Sequence, residues 1–201
     1  MRLFFSAASP YVRKVRIGAI ETGHGNAIEL VPTDVWDEAG ELRAHNPLGR
    51  VPALAIDGGP TLIDSPVICE YLDAHSTEAE LFPPAGAARW AALRLQALAD
   101  GILDASVLLR LEGVFRTPEQ RSQRWIDRQN LAVTAALDAL ETEADRLRSP
   151  PTIGEIAVAC ALGYRDFRFA DADWRSTRPR LAAWYAAFRE RPSMRQTEPT
   201  G

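Results

Sequence analysis

Lysine is almost missing from this chain. Of its 23 basic residues only Lys14 is a lysine, and the rest are arginine. The arginines are interleaved with 27 acidic residues, leaving a net charge of −4. A dedicated nucleic-acid binder would be basic, so that class is excluded. Cysteine is scarce as well: Cys69 and Cys160 are the only two. They are far apart, each in an apolar context, with no CxxC pair. They read as small buried hydrophobes, and no disulfide scaffold is available. A reducing, cytoplasmic setting follows as the expectation. The three histidines, His24, His45 and His75, have no ligand spacing, so no metal site is expected. There is no P-loop, and no GxGxxG turn follows the first strand. No apolar run approaches the roughly 20 residues that span a bilayer. The apolar start, Met1 to Phe5, is too short for a signal peptide. No internal repeat or low-complexity tract is present.

What is present is an ordinary globular composition over 201 residues, 46% hydrophobic and 25% charged. A chain of this size can bury a substantial core without staples. Its first 78 residues alternate short apolar runs with short helical patterns. Arg2 to Phe5 reads as a buried strand. Val12, Val15, Ala19 and Ile20 then recur at helical spacing, and Gly23 and Gly25 end the pattern. Ala27 to Val31 reads as a second strand, parallel to the first because a helix joins them. Asp37 to His45 is a short helix or irregular turn. Val51 to Ile56 and Pro60 to Ile63, separated by Asp57-Gly58-Gly59, form a hairpin. Ser65 to His75 is a helix with Ser65 and Pro66 at its start.

After Pro83-Pro84 the strand signal disappears. Ala87 to Leu111 is rich in alanine and leucine. Thr117-Pro118-Glu119 predicts the start of a long helix carrying Ile126, Val133, Leu137, Leu140, Ala144 and Leu147 on one face. Ile153 to Tyr164 is a compact apolar helix, and Arg178-Pro179 opens a last one through Phe188. The expected division is an α/β domain over residues 1–78 and an all-helical domain over residues 86–201.

Three segments could carry chemistry. In Ser6-Ala7-Ala8-Ser9-Pro10-Tyr11, Ser9 lies at a helix N-terminus, where an anion such as a thiolate is stabilised. On these residues alone, a plain helix cap is the favoured reading of Ser9. In Asn46-Pro47-Leu48-Gly49-Arg50-Val51-Pro52, a proline begins or closely precedes a strand. A cis Val51–Pro52 bond would turn the Val51 backbone outward, but X-Pro bonds are cis in only about 5–6% of cases. In Asp64-Ser65-Pro66, an acid and a hydroxyl sit at another helix N-terminus, suited to the two charges of an amino-acid end. Capping explains that segment too.

Taken together, the motifs S-P-Y-V-R-K, N-P-L-G-R-V-P-A-L, D-S-P-V-I-C-E-Y-L and A-L-A-D-G-I-L-D-A resemble those of the glutathione S-transferase superfamily, specifically a bacterial serine-type group within it. The resemblance runs over nearly the whole chain. It implies a thioredoxin-like N-terminal domain followed by an all-helical C-terminal domain, usually paired as a homodimer, with glutathione as substrate and no metal. Carried over by motif, Ser9 faces the glutathione sulfur, with Ser6 as a nearby rival. The backbone of Val51 pairs with the cysteinyl part, and Arg50 lies near the glycyl carboxylate. Asp64 and Ser65 hold the γ-glutamyl end. Asp100 falls where many members reach across the dimer, with a structural acid as its other reading. Tyr11, Leu108, Leu109 and Tyr164 are placed at the pocket of a small apolar electrophile.

Two positions depart from the family pattern. Glu155 stands where members place aspartate, in Thr152-Ile153-Gly154-Glu155, which still reads as a capping box. Ser9 has no cysteine beside it, so disulfide exchange lacks its thiol nucleophile. The implied activity is thiolate attack on an electrophile. The alternatives are a glutathione-binding protein with little turnover, a glutathione-dependent isomerase or dehalogenase, and a helical interaction module.

Overall fold

The computed structural model describes residues 1–201. Contacts divide them into two compact units: residues 1–89 together with 191–201, and residues 90–190.

The first unit is built on a four-stranded sheet ordered β2-β1-β3-β4. The strands are β1 (Arg2–Phe5), β2 (Glu29–Pro32), β3 (Ala53–Ala55) and β4 (Thr61–Leu62). Helix α1 (Pro10–Glu21) joins the first two strands, which are parallel as expected. The β3–β4 hairpin is antiparallel, also as expected, but both strands are shorter than the apolar runs suggested. Strand β2 begins two residues later than predicted and ends on Pro32, which an edge strand tolerates. Leu3 and Phe4 point to opposite faces of β1, and both are buried, so the sheet is covered on both sides. On one side Phe4 and Ala53 pack with Leu42 from the short helix α2 (Leu42–His45). Helix α3 (Ser65–Ala74) packs against α1. Gly18 of α1 lies so close to α3 that an added Cβ would touch the Cys69 Sγ at 3.5 Å. Both cysteines are buried and neither forms a disulfide, as their apolar contexts indicated.

A short helix that the periodicity did not reveal, α8 (Pro192–Arg195), returns to this unit. Its anchor is Glu21, whose carboxylate accepts hydrogen bonds from Arg191 (2.6 and 3.1 Å) and from the Ser193 hydroxyl (2.5 Å). Arg13, buried on α1, donates to the Met194 carbonyl at 3.1 Å.

In the second unit lies most of α4, a 30-residue helix that starts in the first (Gly86–Phe115). With it are α5 (Gln123–Glu143), α6 (Ile153–Arg168) and α7 (Pro179–Phe188). Helix α6 is the centre, buried on every side from Ile153 through Arg165. Its expected capping box forms: the Glu155 carboxylate accepts from the Thr152 N–H (2.8 Å) and hydroxyl (2.5 Å), and also from the Arg148 N–H (3.0 Å). Gly154 permits the contact with α4, since an added Cβ would lie 2.8 Å from both the Ala92 carbonyl and the Leu95 Cβ.

The start of α5 differs from expectation. Thr117 does form a capping box with Gln120, but it opens only a 3₁₀ turn over Pro118–Gln120. Arg121 is then extended, and Ser122 caps the real helix through the Trp125 N–H. Two capping residues compete in this stretch. Buried Glu112 settles the break by accepting the Ser122 N–H at 2.9 Å.

Candidate functional site

The strand register brings three loops to one end of the sheet. Phe4 of β1 pairs with Ala53 of β3, so the end of β1 lies beside the start of β3. Leu54 pairs with Leu62, so the end of β4 lies there as well. The chain leaves β1 through Ser6 to Ser9, enters β3 through Arg50 to Pro52, and leaves β4 through Ile63 to Ser65. The three sequence segments therefore converge, although 56 positions separate Ser9 from Ser65.

At the first loop Pro10 opens α1, and Ser9 is its cap. The Ser9 hydroxyl accepts the Val12 N–H at 3.3 Å, and the Ser9 N–H donates to the Ser6 carbonyl at 3.0 Å. A hydroxyl that accepts one bond still has its proton to donate. The capping reading and the thiol-facing reading are thus compatible in one side chain. Tyr11, half-buried, is the second residue of α1.

The second loop is held by a residue that sequence reasoning passed over. Asn46 is buried; its amide donates to the Arg50 carbonyl at 2.7 Å and accepts the Leu48 N–H at 3.0 Å. Gly49 turns the chain with φ +61°, a conformation that disfavours any Cβ. The Val51–Pro52 bond is cis. Val51 packs its side chain on the Phe4–Leu42–Ala53 cluster, while Arg50 stays exposed.

At the third loop the helix start is bare. Asp64, exposed, precedes α3 and makes no side-chain cap. The first amide to bond back is that of Ile68, to the Asp64 carbonyl at 3.0 Å. The Ser65 and Val67 N–H groups therefore lack a helical acceptor. Ser65 itself is only 1% exposed, and no hydrogen bond within the protein engages its hydroxyl. A buried hydroxyl beside unfilled amides at the positive end of a helix is a receptor for a carboxylate.

The remaining expected residues lie on the helical unit. Asp100, half-buried, is on α4, as are exposed Leu108 and half-buried Leu109. Tyr164 is buried on α6. Burial pushes its phenol up from the usual value, against the opposing pull of Arg168 and Arg110.

The profile of the glutathione S-transferase N-terminal domain matches residues 8–75, and that of the C-terminal domain matches residues 123–187. An uncharacterised GST-like protein of Escherichia coli (strain K12), YibF, is 31% identical over 202 residues, covering 99% of this chain and 98% of its own length. A glutathione transferase family member from Pseudomonas fluorescens Pf-5, solved with bound glutathione, superposes with a TM-score of 0.95 at 47% identity, covering 100% of this chain and 99% of that one. A structure of a family member from the same organism, with bound S-(propanoic acid)-glutathione, gives a TM-score of 0.92 at 46% identity, with full coverage of both chains.

Proposed function

We propose, from the premise that this chain belongs to the glutathione S-transferase family, that it binds glutathione at the loop end of its sheet and activates the thiol for attack on an electrophile. The observation that carries this reading is the bare start of α3. Its unfilled Ser65 and Val67 amides and the buried Ser65 hydroxyl would take the γ-glutamyl carboxylate, with Asp64 beside them for the ammonium group. The Val51 backbone would pair with the cysteinyl residue, and Arg50 would face the glycyl carboxylate. The bound glutathione and S-(propanoic acid)-glutathione of the Pseudomonas relatives support the same ligand for this chain.

The sulfur then belongs at Ser9. Lowering a thiol from a pKa of about 8.5 to neutrality takes roughly 2 kcal/mol. One hydrogen bond to a charged sulfur together with a helix N-terminus is of that size. Ser9 donates its proton and never becomes covalent. Glutathione is the nucleophile: its S⁻ forms the new carbon–sulfur bond as the leaving group departs or a double bond accepts the pair. In the helical unit, Tyr164 with Leu108 and Leu109 is put forward for the second substrate.

The reading includes pairing of two copies, with Asp100 contributing across the dimer, and a cytoplasmic setting. No helix is long and apolar enough to cross a membrane. Sedimentation should return about twice the 22.1 kDa chain mass. The decisive test is Ser65→Ala. Its affinity for immobilised glutathione should fall at least about tenfold, the loss of one hydrogen bond to a charged group. Unaltered retention would refute the γ-glutamyl assignment.

A further inference from the structure

A cleft of about 380 Å³ opens wholly within the first unit. Ser9 stands at the start of α1, whereas the cleft runs along the second half of that helix and past its end. Its floor is Leu3 of β1, Ala19 of α1 and Ile28 just before β2, all buried. Ile20 and Leu30 form its walls, and Leu30 keeps 39% of its surface exposed.

The two ends of the cleft carry opposite charges, and neither is neutralised. Arg16, half-buried, donates to the Gln196 carbonyl at 3.3 Å, and no carboxylate pairs with it. Its guanidinium carbon lies 5.8 Å from the centre of the ring of Phe5, the last residue of β1. Burial, and then the charge of Arg13, pull its pKa below the usual value, with no acid to oppose them. Glu78, exposed, stands at the other end. Its carboxylate lies over Gly23, where an added Cβ would meet the Oε1 at 3.1 Å, and has no hydrogen bond or ion pair within the protein. Arg16, Ile20 and Gly23 follow one another at steps of four and three, so they lie along one face of α1 and its end. Seven residues of helix span about 10 Å. That is the length of about three residues of extended peptide.

Strand β2 adds partners for a peptide backbone. It is an edge of the sheet, with β1 on one side of it. The Glu29 and Thr33 N–H groups bond to the Met1 and Phe5 carbonyls at 3.0 and 2.9 Å. By alternation the Leu30 N–H and carbonyl face away from β1, as unpaired edge groups.

We propose that this cleft binds a short apolar peptide, about three residues long with both termini free, its carboxylate at Arg16 and its ammonium group at Glu78. The planar fork of arginine takes a carboxylate in two parallel hydrogen bonds. Exposed Glu78 adds a weaker ion pair, and it repels any ligand that carries a carboxylate at each end. The Arg16 end lies at the C-terminal ends of β1 and β2, so the peptide runs parallel to β2. Leu30 then bonds its backbone as in the addition of a strand to a sheet edge, and the apolar floor takes its side chains. The site shares no residue with the glutathione loops and stands or falls apart from them.

The test titrates the protein by calorimetry with the tripeptide valyl-alanyl-valine, its C-terminal amide, its N-acetyl form and the form blocked at both ends. Amidation should weaken binding at least about tenfold, the loss of a hydrogen bond to a charged group. Acetylation should weaken it about threefold, the loss of an exposed ion pair. Arg16→Gln should abolish the effect of amidation alone, and Glu78→Gln the effect of acetylation alone. The comparison of ligands uses the wild-type protein and requires no variant to fold. Saturation with glutathione should leave the affinities unchanged. Equal affinities for all forms, or no binding of any at millimolar concentration, would overturn the site. Displacement of the peptide by glutathione would overturn it too, by placing the peptide at the glutathione loops. Amidation and acetylation effects that survive in both variants would overturn the assignment to Arg16 and Glu78.

Discussion

At the scale of single residues, the role proposed for Ser9 would have one hydroxyl serve structure and chemistry together. It caps α1 by accepting the Val12 N–H, and its proton remains for a sulfur. The two roles can be separated. Ser9→Ala removes both and should cost about 1 kcal/mol of stability, whereas Ser9→Gly should cost only a few tenths. Both variants should lose the thiolate absorbance of bound glutathione near neutral pH while still binding the tripeptide. A thiolate signal that survives in Ser9→Gly would move the role to Ser6 or to the backbone amides. Asn46 makes a related point from the other side. It stands in a motif that sequence reading singled out, yet its function as the brace of the Arg50 carbonyl appears only once the loop is closed.

At the scale of elements, the capping box of α6 was legible because both partners lie three residues apart in one segment. What could not be read was its burial. Glu155 is 1% exposed and accepts three donors, so its removal leaves the two buried Thr152 donors and the part-buried Arg148 N–H without it. Glu155→Ala should cost about 3 kcal/mol, or roughly 6–12 °C in calorimetric midpoint for a chain of this length. Gly154→Ala should destabilise through the α4 contact, by an amount set by how far Leu95 can shift. The start of α5 was misplaced for a physical reason. Thr117 and Ser122 are both competent caps, and local sequence cannot rank them. Glu112, ten residues before Ser122, decides between them through a part-buried hydrogen bond.

At the scale of the whole molecule, the last eleven residues belong to the first unit and not to the helical one that precedes them. Glu21 is their anchor. Burial alone would push its carboxyl up, but the hydrogen bonds from Arg191 and Ser193 and the Arg191 charge outweigh this and hold it below the usual value. A depressed native pKa stabilises the docked tail fully above the ordinary glutamate range, and that stability is lost as pH falls through the native value. Hydrogen exchange over residues 191–201 should therefore accelerate in acid before the core opens. Glu21→Gln should bring that acceleration to neutral pH, with faster tryptic cleavage after Arg195. Exchange that is insensitive to both changes would show that Arg13 and the α1–α8 packing hold the tail without Glu21.

Periodicity, punctuation and short motifs sufficed for the two kinds of domain, the parallel β1–β2 pair, the hairpin, and the caps of α1 and α6, and they singled out the three segments of the proposed glutathione site. Those features depend on neighbours a few positions apart, or on a pattern that spans a single element. The convergence of Ser9, Val51 and Ser65 at one sheet end, the return of α8 to Glu21 and the cleft between Arg16 and Glu78 depend on strand register and helix packing between distant parts of the chain. No local signal separates Arg16 from the other arginines. Only the packing around α1 sets it at the end of a cleft and leaves it without an acid.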